Sequence, residues 1–154
     1  MPRLSKKTMF AIEAVLDVAF HAGGGPVRSG DITERQGIPK RYLEQVLQHL
    51  VRAGILAGKR GPRGGYRLGR ERKGITLGEV VRVVRELEAE SETEANDFSV
   101  GSPLAHEVVW PMWESLRDEM MSRLDLISIE DLCDRARSKG LGAEPKTKSS
   151  EMSL

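Results

Sequence analysis

The stretch from Ser29 to Gly54 constrains this chain more than any other, because it holds two helix signals of unequal length with almost no loop between them. Residues 29–36 (SGDITERQ) read as a short helix, with Ser29 as its cap and Gly37 as its stop. Pro39 suits a first helical turn, where its missing N–H costs nothing. The longer helix is expected from about Pro39 to Ala53. Its apolar stripe is Tyr42, Leu43, Val46, Leu47 and Leu50, spaced by three and four residues. Lys40, Arg41, Glu44, Gln45, Gln48 and Arg52 are left to face solvent or a ligand, and Gly54 ends the helix. A short and a long helix joined by a few residues that include glycine is the helix-turn-helix pattern. Packing needs alone also produce such pairs.

The flanks narrow the choice. Upstream, residues 4–22 carry Leu4, Met9, Ile12, Val15, Leu16 and Ala19 on one helical face, with Ser5 as a cap and Gly23-Gly24-Gly25-Pro26 as a stop. Downstream, residues 55–59 and 65–69 read as two short strands around Arg60-Gly61-Pro62-Arg63-Gly64. The glycines of this tip permit φ values closed to other residues and allow close backbone approach. The spacing of a phosphate-binding loop is absent. A tip carrying Lys59, Arg60, Arg63 and Arg67 directly after a helix-turn-helix fits a DNA-binding wing. The alternative is a flexible tip whose charges only aid solubility.

In the second half, Thr76 and Glu79 form a capping box that opens a helix to about Glu88. Residues 89–103 are polar and acidic and read as a loop. Residues 104–126 give the longest periodic segment, with a start or a kink expected at Pro111. Val109, Met112, Trp113, Leu116, Met120 and Leu124 recur along it, and so broad an apolar surface suits burial against a second copy of the chain. Packing on its own domain is the competing explanation. Ser128 to Asp131 opens a last helix to about residue 138, and residues 139–154 read as a disordered tail. The expected organisation is a DNA-binding unit over 1–73, then linker helix, loop and dimerisation helices over 74–138.

Charge divides the chain at the same place. Residues 1–73 hold 15 Lys+Arg against 6 Asp+Glu, a net +9, whereas residues 74–154 hold 9 against 17, a net −8. A basic half joined to an acidic half suggests a polyanion partner for the first, although a solvated surface could cluster its charges too. No apolar run approaches the ~20 residues needed to span a bilayer, and no signal peptide is visible, so the expected location is the cytoplasm. No nucleophile–base pair or metal-ligand spacing suggests an enzyme. A winged-helix adaptor, docking an acidic protein on its basic face, remains a second possibility. His21 and His49 show no partners in the sequence. The lone Cys133 reads as a small buried residue rather than a redox switch.

Several stretches together resemble the Rrf2 family of winged helix-turn-helix regulators, the IscR, NsrR and CymR type. They are LSKKTMFAIEAVLDVA (Leu4 to Ala19), DITERQG (Asp31 to Gly37), IPKRYLEQVL (Ile38 to Leu47), Gly54-Ile55-Leu56, RGPRGGYRL (Arg60 to Leu68) and ITLGEVV (Ile75 to Val81), with a weaker match over Trp113 to Leu132. The resemblance implies a mainly α fold with a small two-stranded β wing and a long C-terminal dimerisation helix. It also implies that Arg41, Glu44 and Gln45 reach base edges in the major groove and that Arg60 enters or flanks the minor groove. Lys6, Lys7, Arg28, Lys40, Lys59 and Arg63 would contact phosphates or flank the duplex. Several family members hold an iron–sulfur cluster on three cysteines before the long helix. Residues 89–107 contain no cysteine, so the three-cysteine site is excluded by composition and no cofactor is expected. His106, Glu107, Asp97 and Glu94 are a possible metal set, though acidic loops are usually just solvated. The implied partners are double-stranded DNA, a second copy of the chain, and a small effector near 89–110 or a regulatory protein.

Overall fold

The computed structural model describes residues 5–91 and 101–141. Helix α1 (Lys6–Phe20) starts where expected: the Ser5 hydroxyl accepts from the Thr8 N–H at 3.1 Å. Its buried face is Ala11, Ala14, Val15, Val18 and Ala19, while Met9 is exposed and Ile12 and Leu16 are half-buried. The stripe is turned from the one that the larger residues mark. The reason is crowding. Other helices and a strand surround α1, and alanines let them approach.

Helices α2 (Ser29–Gln36) and α3 (Lys40–Arg52) follow, separated by Gly37 in the left-handed conformation at φ 69°. The cap position of α2 is Arg28 rather than Ser29, and no side chain caps it. All five predicted stripe residues of α3 are buried. Strands β1 (Leu56–Lys59) and β2 (Gly65–Leu68) pair antiparallel, with Leu56 opposite Leu68 and Lys59 opposite Gly65. Val27 adds a bridge to Tyr66 through two backbone hydrogen bonds of 2.7 Å, so the hairpin is tied to the start of α2.

Helix α4 (Leu77–Ser91) opens on the predicted capping box: the Thr76 N–H donates to Glu79 at 3.0 Å and the Glu79 N–H to the Thr76 hydroxyl at 3.2 Å. It runs one turn past the expected end at Glu88, because Ala89 and Glu90 are good helix formers and Glu90 finds a partner on α3. Pro111 has the effect expected of it. It offers no N–H to the Glu107 carbonyl, and the turn before it widens to a π-helix over Ala105–Val109, in which the Trp110 N–H reaches back to the Ala105 carbonyl. Helix α5 (Trp110–Leu124) continues from that turn. Helix α6 (Ile129–Ser138) begins with a full Ser128–Asp131 capping box.

One contiguous core joins residues from Ala11 to Cys133. Helices α4 and α6 both pack on α1, so the packing runs across residue 73, where the charge changes sign. Among the described residues no helix is long and apolar enough to cross a membrane.

Candidate nucleic-acid interface

Helix α3 is held from beneath and left free above. Its stripe buries Leu43, Val46, Leu47 and Leu50 completely. The Tyr42 hydroxyl donates to the Lys7 carbonyl at 2.8 Å, and the Lys7 ammonium lies 5.8 Å from the centre of that ring. Burial, and after it the nearby Glu88 carboxylate, pushes the Tyr42 phenol up to about 12. With its inner face fixed, α3 exposes Lys40, Arg41, Glu44, Gln45, Gln48 and Arg52 together.

The angle of α2 is set by a feature that periodicity does not reveal. The Asp17 carboxylate, wholly buried on α1, accepts from Arg35 Nε at 2.9 Å, Arg35 Nη2 at 2.8 Å and Gln36 Nε2 at 2.9 Å. The bidentate pairing raises the Arg35 guanidinium above its ordinary value. His21 Nδ1 lies 2.8 Å from the Asp17 carbonyl oxygen. His49 is bonded too, with Nε2 3.2 Å from Glu90 Oε2. Both histidines therefore have partners, which sequence alone did not show. A carboxylate on an otherwise apolar helix face was the signal available for Asp17.

The wing owes its shape to two glycines. A Cβ at Gly64 would lie 2.2 Å from the Lys59 carbonyl oxygen, and one at Gly65 would lie 2.7 Å from that of Val27. The Arg28 guanidinium donates to the Pro62 carbonyl and so ties the wing tip to the start of α2. Arg28 is exposed, but part of its hydrogen-bonding capacity is spent on the wing.

Between α3 and the wing lies a groove of about 710 Å³, lined by Arg28, Gln48, Arg52, Lys59 and Arg60 with backbone of the glycines, and by no carboxylate. Several cations elsewhere pair with carboxylates: Arg35 with Asp17, Arg70 with Glu79, Arg82 with Asp125 and Arg137 with Asp134. Among the described residues Lys6, Lys40, Arg41, Arg52, Lys59, Arg60 and Arg63 have no carboxylate within ion-pair distance. All seven are exposed. A concave, one-signed surface raises the local concentration of a polyanion.

The apolar residues of α5 divide into two groups. Leu124 is buried in the chain's own core and Met120 is half-buried against it. Val109, Met112, Trp113 and Leu116 are 44%, 52%, 40% and 43% exposed, in company with Leu104 and Val108. Cys133 is buried in α6, and burial pushes its thiol up. Asp97 and Glu94 lie outside the described residues, and among those described no three His, Cys, Asp or Glu side chains group as a metal site would require.

Comparison with known proteins agrees with this geometry. Residues 4–135 match the family model described as Rrf2, iron-dependent transcriptional regulator. The chain is 40% identical over 132 residues to the HTH-type transcriptional regulator IscR of Aliivibrio salmonicida, covering 84% of this chain and 76% of that protein. It is 38% identical over 132 residues to IscR of Photorhabdus laumondii, covering 84% and 78%. Among solved structures it is similar to T. potens IscR, with a TM-score of 0.70, 30% identity and 96% of each chain covered. It is also similar to CymR, the global cysteine regulator of B. subtilis, with a TM-score of 0.65, 28% identity, and 88% and 98% covered. The donor set does not fit the iron of the family description in its three-cysteine form: the chain has one cysteine, and that one is buried with a raised thiol.

Proposed function

The chain belongs to the Rrf2 family of DNA-binding transcriptional regulators, and from that premise we propose that it works in the cytoplasm as a homodimeric repressor on a pseudo-palindromic operator. It does so without a cluster of the three-cysteine kind. The exposed N-terminal side chains of α3, Arg41, Glu44 and Gln45, read base edges in the major groove. Arg60 reaches the minor groove. Lys6, Lys40, Lys59 and Arg63 take phosphates. Val109, Met112, Trp113 and Leu116 meet the same face of a second copy, which presents two recognition helices about one duplex turn apart. A small effector or a regulatory protein sets the occupancy of the operator.

The carrying observation is the set of exposed, unneutralised cations on both sides of a groove that contains no carboxylate. Duplexes selected from a random pool test the reading. They should yield a palindrome bound with affinity that falls steeply as salt rises. Arg60→Ala should weaken that binding by about 1–3 kcal/mol. Trp113→Glu should sediment as a monomer with poor operator affinity. An asymmetric site, an affinity indifferent to salt, or a Trp113→Glu protein still dimeric would refute it.

A further inference from the structure

A second cavity, of about 530 Å³, opens under the turn between α1 and α2. Three side chains around it share one arrangement: a partner holds one edge and the other edge is left over. Arg35 spends Nε and Nη2 on the buried Asp17 carboxylate, which leaves Nη1. Arg72 donates Nη2 to the Ala19 carbonyl at 2.6 Å, which leaves Nε and Nη1. His21 has Nδ1 against the Asp17 carbonyl, which leaves Nε2. The left-over nitrogens have no partner among the described residues. Phe20, Pro26 and Val27 supply an apolar wall.

The glycines of this turn point the same way. Gly25, with φ 94°, needs its lack of a side chain. Gly23 and Gly24 do not: neither has a left-handed φ, and a Cβ on either would meet nothing within 4 Å. No feature of the fold requires glycine at these two positions, and a side chain there would project into open space at the edge of the cavity.

We infer that this cavity is a binding site for a small organic monocarboxylate and that its occupancy changes affinity for DNA. The carboxylate sits on the free edges of Arg35 and Arg72, groups suited to forked recognition of that charge. The apolar body lies on Phe20 and Pro26. Asp31, close enough to Arg35 to influence it, also lines the cavity. With Asp17 already neutralising Arg35, Asp31 brings the site close to neutrality, which disfavours a dianion and suits a carboxylate that carries a single charge or its own ammonium. The coupling to DNA is short. Arg35 and Asp31 belong to α2, and Val27 is bonded to Tyr66 of the wing strand. This inference supplies the effector of the reading above and rests on that reading for its consequence at DNA.

Isothermal titration of the full chain, free of DNA, with isovalerate, phenylacetate, L-leucine and L-phenylalanine tests it. The two amine-free acids against the two amino acids decide whether Asp31 takes an ammonium. At least one probe should bind saturably, one per protomer, with a Kd of about 1 mM or tighter. Gly24→Leu adds bulk to the cavity's rim, at a position where a Cβ would meet no neighbour, and alters none of the donors. It should weaken binding by about tenfold or more while the melting temperature stays put. Arg72→Gln should weaken it also. The bound probe should then shift operator affinity in an anisotropy titration of the parent and leave the Gly24→Leu protein unmoved. Heats absent for all four probes, or equal in Gly24→Leu, would overturn the site. Binding that leaves operator affinity unchanged would overturn its regulatory consequence. Failure to bind duplex DNA would sink the repressor reading and leave the calorimetric result standing.

Discussion

Replacing Tyr42 with Phe should make the protein less stable at neutral pH and more stable at high pH than the parent, with the two stability curves crossing in between. The lost group is one hydroxyl that donates at 2.8 Å to the Lys7 carbonyl from a side chain only 9% exposed. Lys7 is exposed, so water can replace the missing donor, and the cost at about pH 8 should be near 0.5–1.5 kcal/mol. The parent carries a second cost at high pH. Its phenol is pushed up to about 12, chiefly by burial and then by Glu88. An unfolded tyrosine titrates near 10. Between those values the folded state holds a proton that the unfolded state has released, so stability falls as pH rises. The contribution is whole below about pH 10 and gone by about pH 12, a loss of about 2–3 kcal/mol at roughly 1.4 kcal/mol per unit. The Phe variant has no such slope, and the curves should cross near pH 11. Urea unfolding followed by tryptophan fluorescence, run on both proteins at each pH, measures the difference and cancels the lysine and arginine titrations they share. A stability difference constant from about pH 8 to 12 would refute the account of a buried phenol.

Asp17→Ala removes a wholly buried acceptor of three hydrogen bonds; with Arg35 partly exposed and able to hydrate, urea titration should show a loss of about 2–4 kcal/mol with an unchanged m value. Gly64→Ala forces a Cβ towards the Lys59 carbonyl and must open the wing turn, so operator affinity in an anisotropy titration should fall by about 1–3 kcal/mol while the salt-dependent contacts of α3 persist. The Cys133 thiol, buried and held above its ordinary range, should react with iodoacetamide only as fast as the protein opens, and labelling at the rate of a free thiol would contradict its placement.

The helices were legible in the sequence wherever a local rule dominates. Ser5, Thr76 and Ser128 each cap the predicted helix, and Gly37 and Gly54 take the positive φ that a stop requires. The stripe of α3 was readable because one face packs and the other does not. The stripe of α1 was not, since a helix enclosed by neighbours buries alanines, and alanine carries no clear hydrophobic signal. Long-range polar pairing was hidden as well: Asp17 with Arg35, His49 with Glu90 and Arg28 with Pro62 depend on the angles between elements, which no periodicity encodes. At the candidate interface, sequence singled out the cations, but the absence of carboxylates from the groove between α3 and the wing is a property of the assembled surface.

The division of α5 has a consequence for how a dimer would meet DNA. Its C-terminal end is part of the body that carries the recognition helix: Met121 and Leu124 are buried there, and Asp125 receives both Nη groups of Arg82 at 2.8 and 2.7 Å. That approach is close enough that a Cβ on Gly78 of α4 would lie 1.8 Å from Asp125 Oδ1. Its N-terminal end presents the exposed apolar face. A single helix, about 22 Å long at 1.5 Å per residue, thus connects the surface proposed to join two copies with the body that holds α3. A stiff connection converts any change in packing between copies into a change in the distance between recognition helices, and that distance must match the half-site spacing. Regulation would then need no disruption of α3 itself. A small rotation of α5 against α4, or a small shift of α2 against the wing, would be enough to lose one of the two half-sites, and with it most of the affinity of a two-fold complex.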